Sequence, residues 1–275
     1  LTFAIGAASH GSQRWISIGP FSLQPSELAK IGIILFLAAY ISSKSREMRQ
    51  WKKMVIPFLF AIPIIVIVGI ENLSTCIILL AISFIMIFVA TPLLVPFVVI
   101  GLIGVAVAGG LLLTQGYRME RITVWLDPAA SEKGHQTIQG LYAIGSGGLF
   151  GKGLGQSMQK LGFLPEANND MIFSVICEEL GLFGALCVLA LFFALIWRFM
   201  VIAVNAPDLY GSMIVVGVIA HIGIQVFINI AVATNTIPNT GIPLPFISYG
   251  GSSLVFMLLE MGLVLSVSRY INVKK

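Results

Sequence analysis

The sequence predicts an all-α protein, a polytopic bundle of transmembrane helices with one long extracytoplasmic loop. Of its 275 residues, 57% are hydrophobic and only 10% are charged, whereas a soluble domain carries about 25% charged residues. Apolar runs that approach the roughly 20 residues of a membrane span recur along the chain. Lysine and arginine flank these runs, as orientation signals do. The net charge of +4 therefore does not indicate a nucleic-acid partner.

Hydropathy predicts about seven complete spans in a single transmembrane domain, residues 1–275. Residues 1–8 have the composition of the end of a span. We therefore expect the chain to be an N-terminally truncated piece of a longer protein. The predicted spans are Leu28–Ser43, Met54–Ile70, Ser74–Ala90, Leu94–Thr114, Met171–Ile196, Gly211–Thr234 and Leu254–Val267.

The positive charges predict the orientation of these spans. The most basic stretch is Lys44–Lys53, and a second basic cluster lies at the C-terminus. Short basic loops remain in the cytoplasm. Both clusters then agree on one topology, in which the long loop, residues 115–170, lies outside. This loop opens with YRMERITVWLDP, residues 117–128, which suits a helix extension or an interfacial segment.

A glycine-rich run with two lysines, Lys152 and Lys160, lies in the second half of the long loop. It is not a nucleotide-binding loop, because neither GxxxxGK[ST] nor GxGxxG fits its spacing. Two interpretations stay open. Its backbone N–H groups and lysines can hold a pyrophosphate, or it is a closely packed loop lying on the bilayer surface.

Asp170 lies at the predicted outer end of a span, after a Pro-Glu-x-x-x-Asp turn that includes Glu166. It is a candidate base or cation ligand at the membrane surface, and the alternative is a helix N-cap. Glu178 and Glu179 follow within the apolar run. Intramembrane acids are functional or paired with a base, and we interpret these two mainly as structural ion-pair partners.

Other polar residues predict contacts near the same surface or within the bundle. Glu27 and Lys30 are i,i+3 neighbours on a helix, with Gln24 just before them, and Arg14 begins an Arg-Trp pair typical of an interface anchor. A further polar face in the sixth span suits interhelical hydrogen bonds. Its members are His221, Gln225 and Asn229.

Several long motifs, in order, resemble the SEDS family (shape, elongation, division and sporulation) over nearly the whole chain. They are RW at 14–15, QPSELAK at 24–30, QGLYAIGSGGLFGKGLGQS at 139–157, QKLGFLPEANNDMIFSVICEELG at 159–181 and GIPLPFISYGGSS at 241–253. The sequences of these motifs are most like those of the division branch. Ser22, where the elongation branch commonly has arginine, and GLGQS at 153–157 lean toward the division and sporulation branches.

The resemblance implies a peptidoglycan glycosyltransferase with ten transmembrane helices. Such proteins polymerise lipid II into glycan strands at the outer face of the bacterial cytoplasmic membrane. The implied partners are lipid II, a glycan linked to undecaprenyl pyrophosphate, a class B penicillin-binding protein and other divisome membrane proteins. The implied location is the division site.

The resemblance also implies roles for particular residues. The family's essential acid maps onto Asp170, and its QPSExAK motif maps onto Gln24, Glu27 and Lys30. Arg14, Lys152 and Lys160 are candidates to bind the pyrophosphate, and Glu166 is a further candidate for substrate binding. No tightly bound cofactor is expected, although Asp170 suits a divalent cation, Mg²⁺ or Mn²⁺, as an alternative to acting as a base.

Two other function classes compete with a polymerase. A lipid II flippase would need its essential polar groups near the middle of the membrane, whereas a polymerase needs its acid at the surface. A scaffold that recruits a transpeptidase would not need Asp170 at all.

Overall fold

A computed structural model describes residues 7–9, 12–18, 21–91, 97–98, 101, 116–131 and 134–271. The predicted fold class is confirmed, since most of these residues are helical and six helices are long and apolar enough to cross a membrane. The eight described α-helices are α1 (Pro25–Ser43), α2 (Trp51–Glu71), α3 (Leu73–Ala90), α4 (Gly116–Leu126), α5 (His135–Ser146), α6 (Ile172–Val204), α7 (Leu209–Ala233) and α8 (Gly251–Arg269).

Three short strands precede α1, and the sequence did not predict them. They are β1 (Ala7–Ser9), β2 (Ser12–Ile18) and β3 (Phe21–Leu23). β2 pairs antiparallel with both of the others. Alternation and β-branched residues are too few in such short runs to distinguish a strand from an irregular loop.

Contacts divide the chain into two compact units. The first contains Leu1–Val98, Ile196–Ile224 and Gly250–Lys275, and the second contains Val99–Leu195 and Gln225–Tyr249. Within the first unit, α1 buries its apolar side chains, including Ile34 and Leu37. Gly217 of α7 allows close packing there, since an added Cβ would lie 2.6 Å from a methyl carbon of Ile34.

Five of the predicted spans correspond to a described helix within a few residues. The prediction for the span in α6 was wrong in its length and continuity. The fourth predicted span, Leu94–Thr114, falls largely outside the described residues. The fifth was predicted to end before Arg198, but α6 continues to Val204. Gly181 interrupts α6 with φ 67° and ψ −168°, a backbone conformation that favours glycine.

The break at Gly181 changes where the membrane-spanning part of α6 begins. Residues 182–204 alone exceed the roughly 20 residues that a span needs. The residues before the break form a separate short helix that carries Glu178 and Glu179. Hydropathy averages over the whole run, so it assigned both acids to the interior of the span.

The stretch predicted as a long loop contains regular structure. α4 and α5 occupy part of residues 116–146, and a short 3₁₀ turn occupies Gln159–Leu161. A helix thus covers most of YRMERITVWLDP, and its continuity with the fourth predicted span falls outside the described residues. The predicted extracytoplasmic position of this stretch stays a prediction.

Candidate functional site: the Asp170 turn and its amide network

Asp170 ends a compact turn, residues 165–171, which we call the Asp170 turn. Glu166 within it has a positive φ of 53°, and the backbone N–H of Asn169 donates to the Glu166 carbonyl at 2.9 Å. Beneath the turn, Leu164, Ala167, Met171 and Val175 pack in one apolar cluster. The cluster fixes the backbone on both sides of Asp170, so its carboxylate is held at a defined position.

The carboxylate of Asp170 is buried and lies beside a neutral amide. The side chain of Asp170 is 7% exposed, and Gln136 Nε2 of α5 donates to its Oδ1 at 3.3 Å. α5 approaches closely because Gly140 faces Met171, where an added Cβ would lie 2.8 Å from the methionine methyl group. Gly140 thus lies in close contact with the Asp170 turn, one helical turn after Gln136.

This environment raises the pKa of Asp170 from 3.8 to about 6. Burial is the largest cause, and the charge of Glu166 adds to it, while hydrogen bonding to its own backbone and to Gln136 and the charge of Arg121 act in the opposite direction. A carboxylate with a pKa near neutrality can accept a proton and also pass it on, which suits general-base chemistry.

A chain of amides orients Gln136. Asn239 Nδ2 donates to Gln136 Oε1 at 2.9 Å, and the Oδ1 of Asn239 accepts from the Gly241 N–H at 3.0 Å. Arg121 Nη1 donates to the Asn239 carbonyl at 3.1 Å. Because Gln136 Oε1 faces a donor, its Nε2 is the atom turned toward Asp170.

The Pro-Gly segment, residues 235–250, holds the backbone of the Asp170 turn. Asn229 Nδ2 of α7 donates to the carbonyl of Asp170 at 2.7 Å and to that of Ile242 at 2.8 Å. Ser248 Oγ donates to the Asn169 carbonyl at 2.6 Å, and the Tyr249 N–H donates to the carbonyl of Asn168 at 2.8 Å. The buried amide of Asn229, together with Ser248 and the Tyr249 N–H, thus joins the Asp170 turn to the Pro-Gly segment.

Gly241 brings the main chain of the Pro-Gly segment next to the acid. Its φ is +67°, and an added Cβ would lie 3.9 Å from Asp170 Oδ2. The positive φ, rather than lack of space, is what requires glycine here. The Pro-Gly segment is therefore a turn-rich element that lines the candidate site.

The glycine-rich run forms a second structure, which we call the glycine loop, residues 147–163. It docks into the break of α6, where the N–H groups of Lys152 and Gly153 donate to the carbonyls of Glu178 and Glu179, both at 2.9 Å. An added Cβ on Gly151 would lie 2.2 Å from the Glu179 carbonyl oxygen. The close packing of this run is confirmed, and its predicted position on the bilayer surface stays a prediction.

The side chains of Glu178 and Glu179 clasp the glycine loop. Lys152 Nζ lies 2.7 Å from Glu178 Oε1, and Lys160 Nζ lies 2.5 Å from Glu179 Oε1. Ser157 Oγ donates to Glu178 Oε2 at 2.5 Å. Their interpretation as structural ion-pair partners is confirmed. Binding of pyrophosphate by the two lysines stays a prediction.

Comparison with known proteins shows which family has this architecture. Residues 1–273 match the family model described as cell cycle protein, FtsW/RodA/SpoVE. The chain belongs to this family. The stage V sporulation protein E of Bacillus subtilis (strain 168) is 47% identical over 272 residues, which cover 97% of this chain and 74% of that protein.

Other relatives of this FtsW/RodA/SpoVE family member are named for an enzymatic activity. The probable peptidoglycan glycosyltransferase FtsW of Geobacter sp. (strain M18) is 36% identical over 268 residues, covering 96% of this chain and 73% of that protein. This agrees with the predicted enzyme class. It does not favour the division branch, because the sporulation protein is more similar.

Solved structures agree with the fold. A peptidoglycan synthase complex, described for its structural coordination of polymerization and crosslinking, matches with a TM-score of 0.81 at 27% identity, covering 99% of this chain and 77% of that chain. The rod shape determining protein RodA of Thermus thermophilus matches with a TM-score of 0.69 at 28% identity, covering 98% and 74%. This family member is therefore a multi-pass membrane protein.

The other predicted site residues lie in the first compact unit. Lys30 Nζ lies 2.8 Å from Glu27 Oε1, and both side chains are buried. The predicted i,i+3 pair is confirmed as a contact. Gln24 precedes α1 at its N-cap position. Arg14 lies in β2, and its side chain is outside the described part of the structure.

The polar face of α7 behaves differently from its prediction at two positions. His221 Nδ1 lies 2.9 Å from both carboxylate oxygens of Glu260 in α8, which is the expected contact between helices. Gln225 instead donates to the Pro243 carbonyl at 3.0 Å, and Asn229 donates to the two carbonyls given above. These amides hold non-helical backbone rather than a neighbouring helix.

A divalent cation finds little dedicated coordination here. Among the described residues, no group of three or more His, Cys, Asp or Glu side chains is placed to hold a metal ion. Asp170 and the neighbouring Glu166 are the acids that a cation would neutralise, and hard cations prefer such oxygen ligands. The predicted divalent cation at Asp170 stays a prediction.

Sequence reasoning missed Gln136, Asn239 and Arg121. Gln136 and Asn239 are neutral amides, and their residue type alone does not indicate a site. A signal was present for Asn239, since it lies between two prolines that mark an irregular segment. Its partner Gln136 lies 103 positions away, beyond the reach of local pattern reasoning.

Proposed function

We propose that this chain is a lipid-linked glycosyltransferase that polymerises lipid II into glycan strands at the outer face of the bacterial cytoplasmic membrane. The observation that carries the proposal is the buried carboxylate of Asp170, with its pKa raised to about 6 and its position fixed by Gln136 and the apolar cluster. The names of the relatives supply the substrate class.

In this reaction the acceptor is lipid II, and the donor is a growing glycan on undecaprenyl pyrophosphate. The 4-hydroxyl oxygen of the acceptor sugar attacks the anomeric carbon of the donor. A new C–O bond forms as the bond to the pyrophosphate breaks, and undecaprenyl pyrophosphate leaves. The hydroxyl proton passes to Asp170 acting as general base, a role that typically contributes about 10²–10⁴-fold.

Charge on the leaving pyrophosphate needs neutralisation, and preorganised charge of this kind is a large catalytic contribution. Lys30, Arg14, Lys152 and Lys160 are the proposed cationic groups, with Gln24, Glu27 and Glu166 contributing to substrate binding. A divalent cation at Asp170 and Glu166 would supply the same neutralisation. Lys30 and both lysines of the glycine loop also form ion pairs, so substrate would have to share or displace those contacts.

We further propose a class B penicillin-binding protein and other membrane proteins of the same machinery as partners. A solved relative occurs in a complex that combines polymerization with crosslinking, which supports this class of partner. The place of action is the division site or, in view of the 47% identity to a sporulation protein, the wall of a developing spore.

The test uses the complete protein, purified and supplied with labelled lipid II. Wild-type protein should form glycan polymer, and Asp170→Asn should not. Lipid II translocation into the opposite leaflet is measured in vesicles with the same two proteins. Glycan polymer of normal yield from Asp170→Asn would reject the assignment, and translocation without any polymer from the wild type would favour the flippase.

A further inference from the structure

The glycine loop carries an apolar surface that its ion pairs leave exposed. Phe150 is 80% exposed and Leu154 is 77% exposed. Four further large apolar side chains of the same loop are exposed, namely Leu149, Met158, Leu161 and Phe163. Contiguous exposed apolar side chains are uncommon on a surface that faces water, and they mark a contact with lipid or protein.

The docking of the loop places this surface at one end of a membrane span. The Leu182 N–H donates to the Gly148 carbonyl at 2.9 Å, and the Phe183 N–H donates to the Leu149 carbonyl at 3.1 Å. These two donors are the first residues of the span after the break at Gly181. Leu149 therefore lies level with the start of the span.

The beginning of that span is itself exposed and apolar. Leu182, Phe183 and Leu186 are all exposed, as expected for residues that face lipid. The apolar side chains at 149 and 150 continue this lipid-facing surface across two backbone hydrogen bonds. The lipid or protein that contacts the first residues of the span therefore also contacts the loop.

We propose that the glycine loop is a membrane-embedded wedge. It is inserted among the lipids at the face of the bilayer where the span of α6 begins. Phe150 and Leu154 enter the acyl boundary, as apolar residues of interfacial segments do. Lys152 and Lys160 pair with Glu178 and Glu179, so their charges are balanced by these carboxylates.

The clasp of Glu178 and Glu179 explains how the wedge keeps its shape. Glu178 is 0% exposed and accepts from the N–H groups of Met158 and Gln159, both at 3.3 Å. Glu179 accepts from the Gly155 N–H at 2.9 Å. Backbone groups inside a bilayer boundary need internal partners, and these carboxylates provide them.

A partner protein is the other possible occupant of this surface. Lipid is favoured because the exposed apolar side chains of the loop lie beside those of Leu182 and Phe183, at the start of a membrane span. Four backbone hydrogen bonds join the loop to the break before that span. This proposal is independent of glycosyl transfer, and its test does not use activity.

The test measures the depth of a nitroxide label in the complete protein reconstituted in lipid vesicles. Cys76, Cys177 and Cys187 are first replaced by alanine. Single labels are then attached through Leu154→Cys, Leu191→Cys in the middle of the span, and Ala130→Cys in an exposed polar turn. Collision rates with oxygen, which concentrates in lipid, are compared with those of a water-soluble nickel chelate.

We expect the ratio of oxygen to nickel collisions at position 154 to be several-fold above that at position 130 and to approach that at position 191. A ratio at 154 equal to that at 130 would overturn the proposal, because the loop would then lie in water. Exclusion of both reagents at 154 would also overturn it, since a protein contact would then cover the surface. Each labelled variant is used only if it elutes as the wild type does.

Discussion

Asp170 and Glu178 are buried carboxylates eight positions apart, yet their surroundings differ in kind. Glu178 receives a lysine, a hydroxyl and two backbone N–H groups. The described side-chain hydrogen bond of Asp170 comes from a neutral amide at 3.3 Å. Buried charges in proteins are paired with a partner unless their charge is used.

The difference shows that burial alone does not mark a reactive acid. Four donors stabilise the charge of Glu178, so this carboxylate is suited to holding the glycine loop and not to exchanging a proton. Asp170 has Glu166 as a neighbour and a pKa of about 6, so its charge is poorly stabilised. An acid left in that condition by its own fold is a candidate for function.

The largest expected effect separates the two acids by activity. Asp170→Asn should lower turnover on the order of 10²-fold or more, because an amide cannot take the proton and lacks the negative charge that would hold a cation. At pH values above 6, the free energy of unfolding of this variant should equal or exceed that of the wild type. The reason is that the folded pKa of Asp170 is raised from 3.8 to about 6, so its ionisation disfavours the folded state once pH passes that range.

Polymerisation assays and thermal unfolding of the same preparation check this expectation. An N-cap role would predict the opposite pattern, since asparagine caps a helix about as well as aspartate, and activity would then change little. Loss of stability together with loss of activity would show that Asp170 holds the fold and would remove the contrast with Glu178.

Glu178→Gln should act mainly on stability. The amide cannot accept from all of the donors around it, and unmet buried hydrogen bonds cost about 1–3 kcal/mol. We expect a lower unfolding temperature and faster proteolysis within residues 147–163. Full stability with lost turnover would instead place Glu178 in the chemistry.

A matched pair of glycine variants sharpens the same point through the backbone. Gly151→Ala should destabilise the clasp, because φ is +77° and the added Cβ would lie 2.2 Å from the Glu179 carbonyl oxygen. Gly145→Ala should be tolerated, since nothing lies within 4 Å of its added Cβ. Equal stability of the two variants, measured by thermal unfolding, would refute the docking of the loop in the helix break.

The pH dependence tests whether Asp170 must be ionised. As a base it works only when deprotonated, so turnover should be constant well above pH 6 and should fall about tenfold for each pH unit below it. Initial rates between pH 4.5 and 8, chosen to bracket the pKa of about 6, would measure this. A rate that does not change across that range would exclude Asp170 as the titrating base.

The smallest effect is expected from the amide that faces Asp170. Gln136→Ala removes a hydrogen bond that lowers the pKa of Asp170, so the acid limb of the pH profile should move to higher pH. Turnover should fall a few-fold with little change in KM, since Gln136 positions the acid. Gln156→Ala, at an exposed glutamine of the glycine loop, is the matched control and should leave the profile in place.

Much of the fold followed from local pattern. Hydropathy located five of the described spans within a few residues, because a membrane span needs a long run of apolar residues and little else. It failed at α6, where Leu182–Val204 and the short helix before it form one apolar run. Only the backbone conformation of Gly181 shows that the run is divided.

The sequence by itself determined the membrane class, the i,i+3 contact of Glu27 with Lys30, the structural pairing of Glu178 and Glu179 and the choice of Asp170 as the candidate acid. These depend on composition, on short spacings and on motifs that occupy a continuous stretch. The tertiary structure decided what surrounds that acid. Gln136, Asn229 and Asn239 meet around the Asp170 turn from three separate elements, and hydrogen bonds between residues so far apart are set by the packing of helices and turns rather than by any periodicity along the chain.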